Sequence, residues 1–206
     1  MRTWKLSSAD PLALTLAADA RFTPPDYNND QIWELTLQGG EPSAIALRTT
    51  FGLRARAMRI FPCFTEGGKR VSDPETFADP PLATAIYSNF LEITFFPFKD
   101  LEVTAEYWIP DSHTVSSRLS FANHTTTERE ITLELTAILA PLEGKNLQPA
   151  QIQGVNILTA ETADLTPVIF LTGGPAHQTS PHPALTLNIQ LGPGGKRRFT
   201  WAQASL

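Results

Sequence analysis

Three glutamates, Glu92, Glu102 and Glu106, recur at alternating positions of two neighbouring segments. Paired carboxyl groups perform glycoside hydrolysis when they stand ~5–5.5 Å or ~6.5–9.5 Å apart. Glu102 and Glu106 lie four residues apart on one strand face, which at ~3.3 Å per residue separates them by ~13 Å. Glu92 comes near Glu106 across a hairpin. The face they share also carries Arg118, and a flat, wet face offers no apolar pocket for a general acid. We read these residues as a solvated sheet face.

Other residues of the right type lack the right arrangement. Asp111-Ser112-His113 holds the residue types of a catalytic triad, but consecutive residues on a turn cannot meet side chain to side chain as a triad does. Cys63, the only cysteine, has no histidine near it in sequence and reads as a buried thiol. His177 and His182 lie five apart in a Pro-rich stretch with no Cys, Asp or Glu between them, so no metal site is expected. Gly192-Pro193-Gly194-Gly195 opens no helix and so does not cradle a phosphate, and no cofactor is expected. Asn123-His124-Thr125 has the form of a glycosylation sequon and reads as a turn. Lys196-Arg197-Arg198 is the densest basic run and reads as a solvated strand end.

Five residues remain as carbohydrate-binding or interdomain candidates. Trp108 and Phe96 fall out of register with the apolar positions around them and so point outward. A hairpin turning near Phe98 and Lys99 sets them ~20 Å apart along the sheet, too far for one platform. Each is either a single stacking residue for a sugar ring or a residue covered by a neighbouring domain, and we favour coverage. Glu66, Arg70 and Asp73 fall in an aperiodic stretch, residues 62–88, with Gly67-Gly68 and Asp79-Pro80-Pro81. A structureless connection of that length inside a domain is usually functional, and we expect it to be the domain's functional loop.

The segments that must position these residues alternate apolar and polar with a period of two, the mark of a half-buried strand. Leu12, Leu14 and Leu16 do so, then Trp33, Leu35 and Leu37, then Ile45 and Leu47 on to Phe51. From Phe90 to Leu139 four such runs follow one another. Leu91, Ile93 and Phe95 face in, then Leu101, Val103, Ala105, Tyr107 and Ile109. Val115, Leu119 and Phe121 follow, with Ser117 the weak point, then Ile131, Leu133, Leu135, Ala137 and Leu139. Short turns between them predict a four-strand antiparallel meander. Its other face, from Glu92 through Arg118 to Glu130, Thr132 and Glu134, should be solvated. Residues 165–171 form a compact apolar run suited to a central strand. Residues 142–154 and 173–183 read as loops. The count reaches ten or eleven strands with no amphipathic helix, which argues for an all-β antiparallel sandwich.

Composition agrees. With 206 residues, 42% hydrophobic and 18% charged, the chain reads as one globular β-sandwich domain spanning residues 1–206. A net charge of −5 disfavours nucleic acid, whose binders cluster Lys and Arg. No signal peptide or membrane span is evident, so a cytoplasmic location is expected.

Three stretches carry a resemblance. Ala105-Glu106-Tyr107-Trp108-Ile109-Pro110, then Ser117-Arg118-Leu119-Ser120-Phe121-Ala122-Asn123-His124-Thr125, then Glu128 to Leu135 resemble the N-terminal β-supersandwich of glycoside hydrolases whose catalytic domain is an α/α toroid. Amylo-1,6-glucosidase, glucoamylase and trehalase-like enzymes are such proteins. There a strand ends at an Asn-x-Thr turn, and the last strand often follows a Pro-Gly turn, as at Gly192–Gly195. The resemblance covers residues 90–206. It implies a galactose-mutarotase-like supersandwich, a toroid partner in the same or an adjacent polypeptide, and a role in shaping that partner's substrate entrance. Because the family's catalytic carboxylates sit on the toroid, it implies no catalytic residue here. The mutarotases of the same fold carry a His-Thr-Tyr-Phe-Asn-type motif. Here His124-Thr125 leads into Thr126-Thr127 instead, which argues against that activity. A free-standing carbohydrate-binding module is the alternative, and a sugar epimerase or mutarotase is a third reading.

Overall fold

Period-two alternation needs two apolar faces to meet, and in the computed structural model they meet between two antiparallel sheets. The structure describes residues 4–5, 13–21, 24, 32–179 and 181–206. One sheet runs β1 (Trp4–Lys5), β7 (Asp79–Ile86), β8 (Phe90–Phe98), β9 (Leu101–Asp111), β10 (Thr114–Asn123), β17 (Lys196–Ser205), β14 (Pro167–Leu171), β13 (Val155–Thr162), β12 (Gly144–Ile152). The other runs β15 (Ala176–Gln178), β16 (Ala184–Leu191), β11 (Arg129–Pro141), β5 (Ala55–Glu66), β4 (Ala46–Thr49), β3 (Trp33–Thr36), β2 (Ala13–Leu16), and β6 (Lys69–Val71) pairs with the far half of β5. The only helical piece among the described residues is a 3-10 turn at Pro74–Thr76. An all-β antiparallel sandwich of more than ten strands is therefore what the sequence folds into.

The core lies between the sheets. Leu91, Ile93, Phe95, Val103, Tyr107, Leu119 and Phe121 from one sheet join Trp33, Leu47, Phe64, Leu133, Leu135 and Ile189 from the other in one buried cluster. Ser117, the gap in the apolar pattern of β10, is fully buried and is the register partner of both Tyr107 and Trp201. A small residue fits there because a large ring stands on each side. Leu12 lies outside the described residues.

The four-strand meander is corrected. β8, β9 and β10 are neighbours, but β10 then pairs with the last strand, β17, while β11 crosses to the opposite sheet between β16 and β5. Alternation has the same form for a strand of either sheet, so it cannot report the crossing. β16 to β17 crosses as well, through Gly192–Gly195. Buried Asn123 ties the two crossings together. Its Nδ2 donates to the carbonyls of Thr127 at 2.8 Å, Leu191 at 3.1 Å and Gly192 at 3.0 Å. Its Oδ1 accepts from Thr125 N at 2.9 Å and Thr125 Oγ1 at 2.7 Å. The Asn-x-Thr pattern is a turn, and its amide is used up inside the fold.

The expected loop at 62–88 is also corrected. Most of it is strand: the end of β5, then β6, then β7. The period vanishes because β5 is covered on both faces. Ile60 and Phe64 face the core, while Phe61 and Cys63 form a second small cluster with Ala44 and Ala46. Pro62 is tolerated because the ladder with β4 ends at Ile60 and that with β6 begins at Phe64. In that gap a missing N–H breaks no ladder bond. Residues 142–154, read as a loop, hold the edge strand β12, in which Leu147 alone is buried, too little to give an alternation. Among the described residues of 173–183 the one strand is the short β15.

Candidate functional site

The outer face of the nine-stranded sheet carries the sequence-predicted Trp108, and the register decides its company. Trp108 pairs with Phe90 on one side and Ser116 on the other. Ser116 pairs with Ala202, Ala202 with Phe170, and Phe170 with Ile157. Beyond Phe90 the ring of Tyr87, 65% exposed, lies 6.3 Å away. One transverse line of outward side chains thus runs Tyr87, Phe90, Trp108, Ser116, Ala202, Phe170, and it ends at the buried Ile157.

The next line along the strands is polar: Glu92, Glu106, Arg118, Thr200. Arg118 grips Glu106 through two contacts of 2.5 Å, and that hydrogen bonding holds the guanidinium above its usual pKa. Thr84 donates to the Glu92 carboxylate. Thr94 and Thr104 share a hydroxyl contact of 3.2 Å one line further. Lys196, Arg197 and Arg198 join Glu92, Glu102, Glu106 and Arg118 around a shallow trough of about 310 Å³. Glu92 and Glu106 are indeed opposite one another, but Glu106 is engaged as the anion of an ion pair in an open trough. That arrangement suits hydrogen bonding to a ligand better than proton transfer.

Phe96 sits at the far end of the same face, its ring 6.4 Å from that of His124, and His124 contacts Glu102 at 3.0 Å. Trp108 and Phe96 therefore share a face but not a site. Glu66, Arg70 and Asp73 are not brought together. Glu66 pairs with Arg129 at 2.6 Å, and Arg129 also donates to the Lys99 carbonyl at 2.8 Å. Arg70 pairs with Glu134 at 2.8 Å on the outer face of the other sheet. Asp73 caps the 3-10 turn by accepting from Glu75 N at 3.1 Å and also accepts from Ser43 Oγ at 3.0 Å. Glu134, expected to be solvated, is buried: it stands opposite Cys63 of the covered strand β5, and Arg70 reaches it from β6 on the other edge of that strand. The three loop candidates thus serve as internal ties.

The remaining reactive types are spoken for. Burial pushes the Cys63 thiol up, which disfavours a thiolate, and its Sγ lies 3.8 Å from Thr136 Oγ1. The Asp111 carboxylate accepts from His113 N at 2.9 Å, an Asx turn. His177 Nε2 meets the Ile157 carbonyl at 3.0 Å. Among the described residues no three of His, Cys, Asp and Glu converge as metal donors. None of the described helical segments is long and apolar enough to cross a membrane.

Sequence reasoning missed Phe90, Tyr87 and Phe170 as Trp108's company. A hairpin signal existed: pairing Phe98 with Leu101 and counting back places Trp108 opposite Phe90 after one bulge. Phe170 gave no signal, because its strand reaches β17 through a long-range pairing.

The fold thus defines a class, the large antiparallel β-sandwich of two multi-stranded sheets. No family model and no curated protein matches the chain. Among solved structures, a candidate kojibiose phosphorylase from the human microbiome aligns with 73% of this chain at a TM-score of 0.53 and 14% identity. This chain spans only 23% of that protein. The Slr1438 protein of Synechocystis sp. PCC 6803 aligns at a TM-score of 0.57 and 12% identity over 98% of this chain and 99% of its own length. These likenesses are of fold. The same sandwich occurs as nearly the whole of one chain and as a part of another.

Proposed function

We propose that this chain is the non-catalytic accessory domain of a carbohydrate-active enzyme of the glycoside hydrolase type. In this reading it packs beside a helical toroid catalytic domain and shapes the entrance for substrate. The observation that carries it is the recurrence of this sandwich as 23% of a longer sugar phosphorylase-type chain. The engagement of Glu66, Arg70, Glu106 and Glu134 in ion pairs supports it, since none is left poised for proton transfer. A free-standing carbohydrate-binding module is the second reading. It is favoured by the aromatic line at Trp108 and by a neighbour of nearly equal length. Mutarotase chemistry is less well supported. Its residue types occur here as the His124–Glu102 pair, whose side chains are 48% and 35% exposed on an open face.

The test is kinetic, in the complete polypeptide or complex that carries this sandwich. Removing residues 1–206 should lower kcat/KM on oligosaccharides at least tenfold. Unchanged kinetics of a folded catalytic domain, or the lack of any helical catalytic partner, overturns the accessory role.

A further inference from the structure

We propose that the outer face of the nine-stranded sheet is a platform for a neutral oligosaccharide lying across the strands, with Trp108 as its main stacking ring. This deepens the carbohydrate reading above and rests on it. Neighbouring strands stand 4.7–4.9 Å apart, so three spacings put Trp108 and Phe170 ~14 Å from one another. Only Ser116 and Ala202 lie between them on the line. Two rings separated by two small side chains form a shallow seat the length of a short saccharide. Phe90, and Tyr87 beyond it, extend the aromatic end.

The neighbouring line makes the seat selective. Two residues further along the strands, about 7 Å away, stand Glu92, Glu106, Arg118 and Thr200. A pyranose has an apolar C–H face and a rim of hydroxyls. Its face fits the negative face of an aromatic ring. Its rim can then donate to the Glu106 carboxylate and accept from the Arg118 guanidinium, and the ion pair already fixes both groups. The trough mixes charge signs, with Glu92, Glu102 and Glu106 facing Arg118, Lys196, Arg197 and Arg198, so it is complementary to neither a strongly anionic nor a strongly cationic ligand. A purely apolar partner would strip water from the Glu106–Arg118 pair without replacing its hydrogen bonds, which is costly. An uncharged polyol satisfies both lines.

The experiment is native affinity electrophoresis of the intact chain in gels containing glycogen, dextran or hydroxyethylcellulose. The platform predicts that at least one glucan retards the wild type. Trp108→Ala should weaken that retardation at least tenfold, Trp108→Phe should keep most of it, and Phe96→Ala, at the far end of the face, should leave it unchanged. If Trp108→Ala fails to fold, Phe170→Ala serves, with an expected loss of several-fold. A wild-type chain that no glucan retards overturns the platform, as does a folded Trp108→Ala protein that binds like the wild type. Neither result touches the accessory role, which stands or falls on the kinetics of the complete enzyme.

Discussion

The rings of Tyr107 and Trp201 meet edge to face at 6.4 Å over the small side chain of Ser117, which lies between them in register on β10. The Ser117 hydroxyl is buried and has no hydrogen-bond partner among the described residues. Its polarity therefore contributes nothing favourable, and its size is what the site requires. Ser117→Ala should be neutral or slightly stabilising in urea unfolding, since it removes an unpaired buried polar group. Ser117→Leu should cost about 1–3 kcal/mol by overpacking. Equal stability of the Leu variant would show that the rings do not close over this position.

Asn123 gives the second prediction. Its amide joins the β10–β11 and β16–β17 crossings, and it does so from a buried position. Asn123→Ala leaves carbonyls of both turns short of a donor and should cost about 1–3 kcal/mol. Asn123→Asp should not restore it, because a carboxylate cannot donate. A stability within error of wild type for either variant would show that the crossings hold without this side chain.

Tyr107 sets an alkaline limit on stability. Burial pushes its phenol well above the usual tyrosine range. An unfolded tyrosine ionises near pH 10. The folded pKa is raised, so the stabilisation is fully present below pH ~10 and is lost above it, at up to ~1.4 kcal/mol per pH unit. Tyr107→Phe should remove that extra slope between pH 10 and 12 in urea titrations. Cys63, also pushed up by burial, contributes equally to both proteins. Parallel pH profiles for the two would contradict a buried phenol.

Leu133 tests the register of β11. It is fully buried, while its neighbour Thr132 faces outward and pairs with Asn188 at 3.0 Å. Leu133→Ala should cost ~2–5 kcal/mol, and a measured change under ~1 kcal/mol would place the strand in the wrong register.

The legible parts of the chain were the strands with one wet face. β8, β9 and β10 could be read residue by residue, because Leu91, Val103 and Leu119 face a core while Glu92, Thr104 and Arg118 face solvent. Strands with two similar environments were illegible. β5 is buried on both sides and β12 is buried only at Leu147, so neither shows a period. Sheet membership was illegible for β11, because pairing is a tertiary choice and alternation is not. At the candidate site Trp108 was found as an outward ring, yet its partners come from two other strands, one of them 62 positions further along the chain. Glu66, Arg70 and Asp73 looked available because their partners Arg129, Glu134 and Ser43 are distant in sequence.

Under the proposed function this domain serves sugar chemistry without performing it. The most direct measurement is turnover by the isolated, folded chain, followed as sugar release from maltose, isomaltose, trehalose and aryl glucosides and by polarimetry of α-glucose and α-galactose. The account predicts rates equal to the buffer background throughout. A rate above background that falls in Glu92→Gln, Glu106→Gln or His124→Ala would contradict it, because the outer face of the nine-stranded sheet would then be an active site.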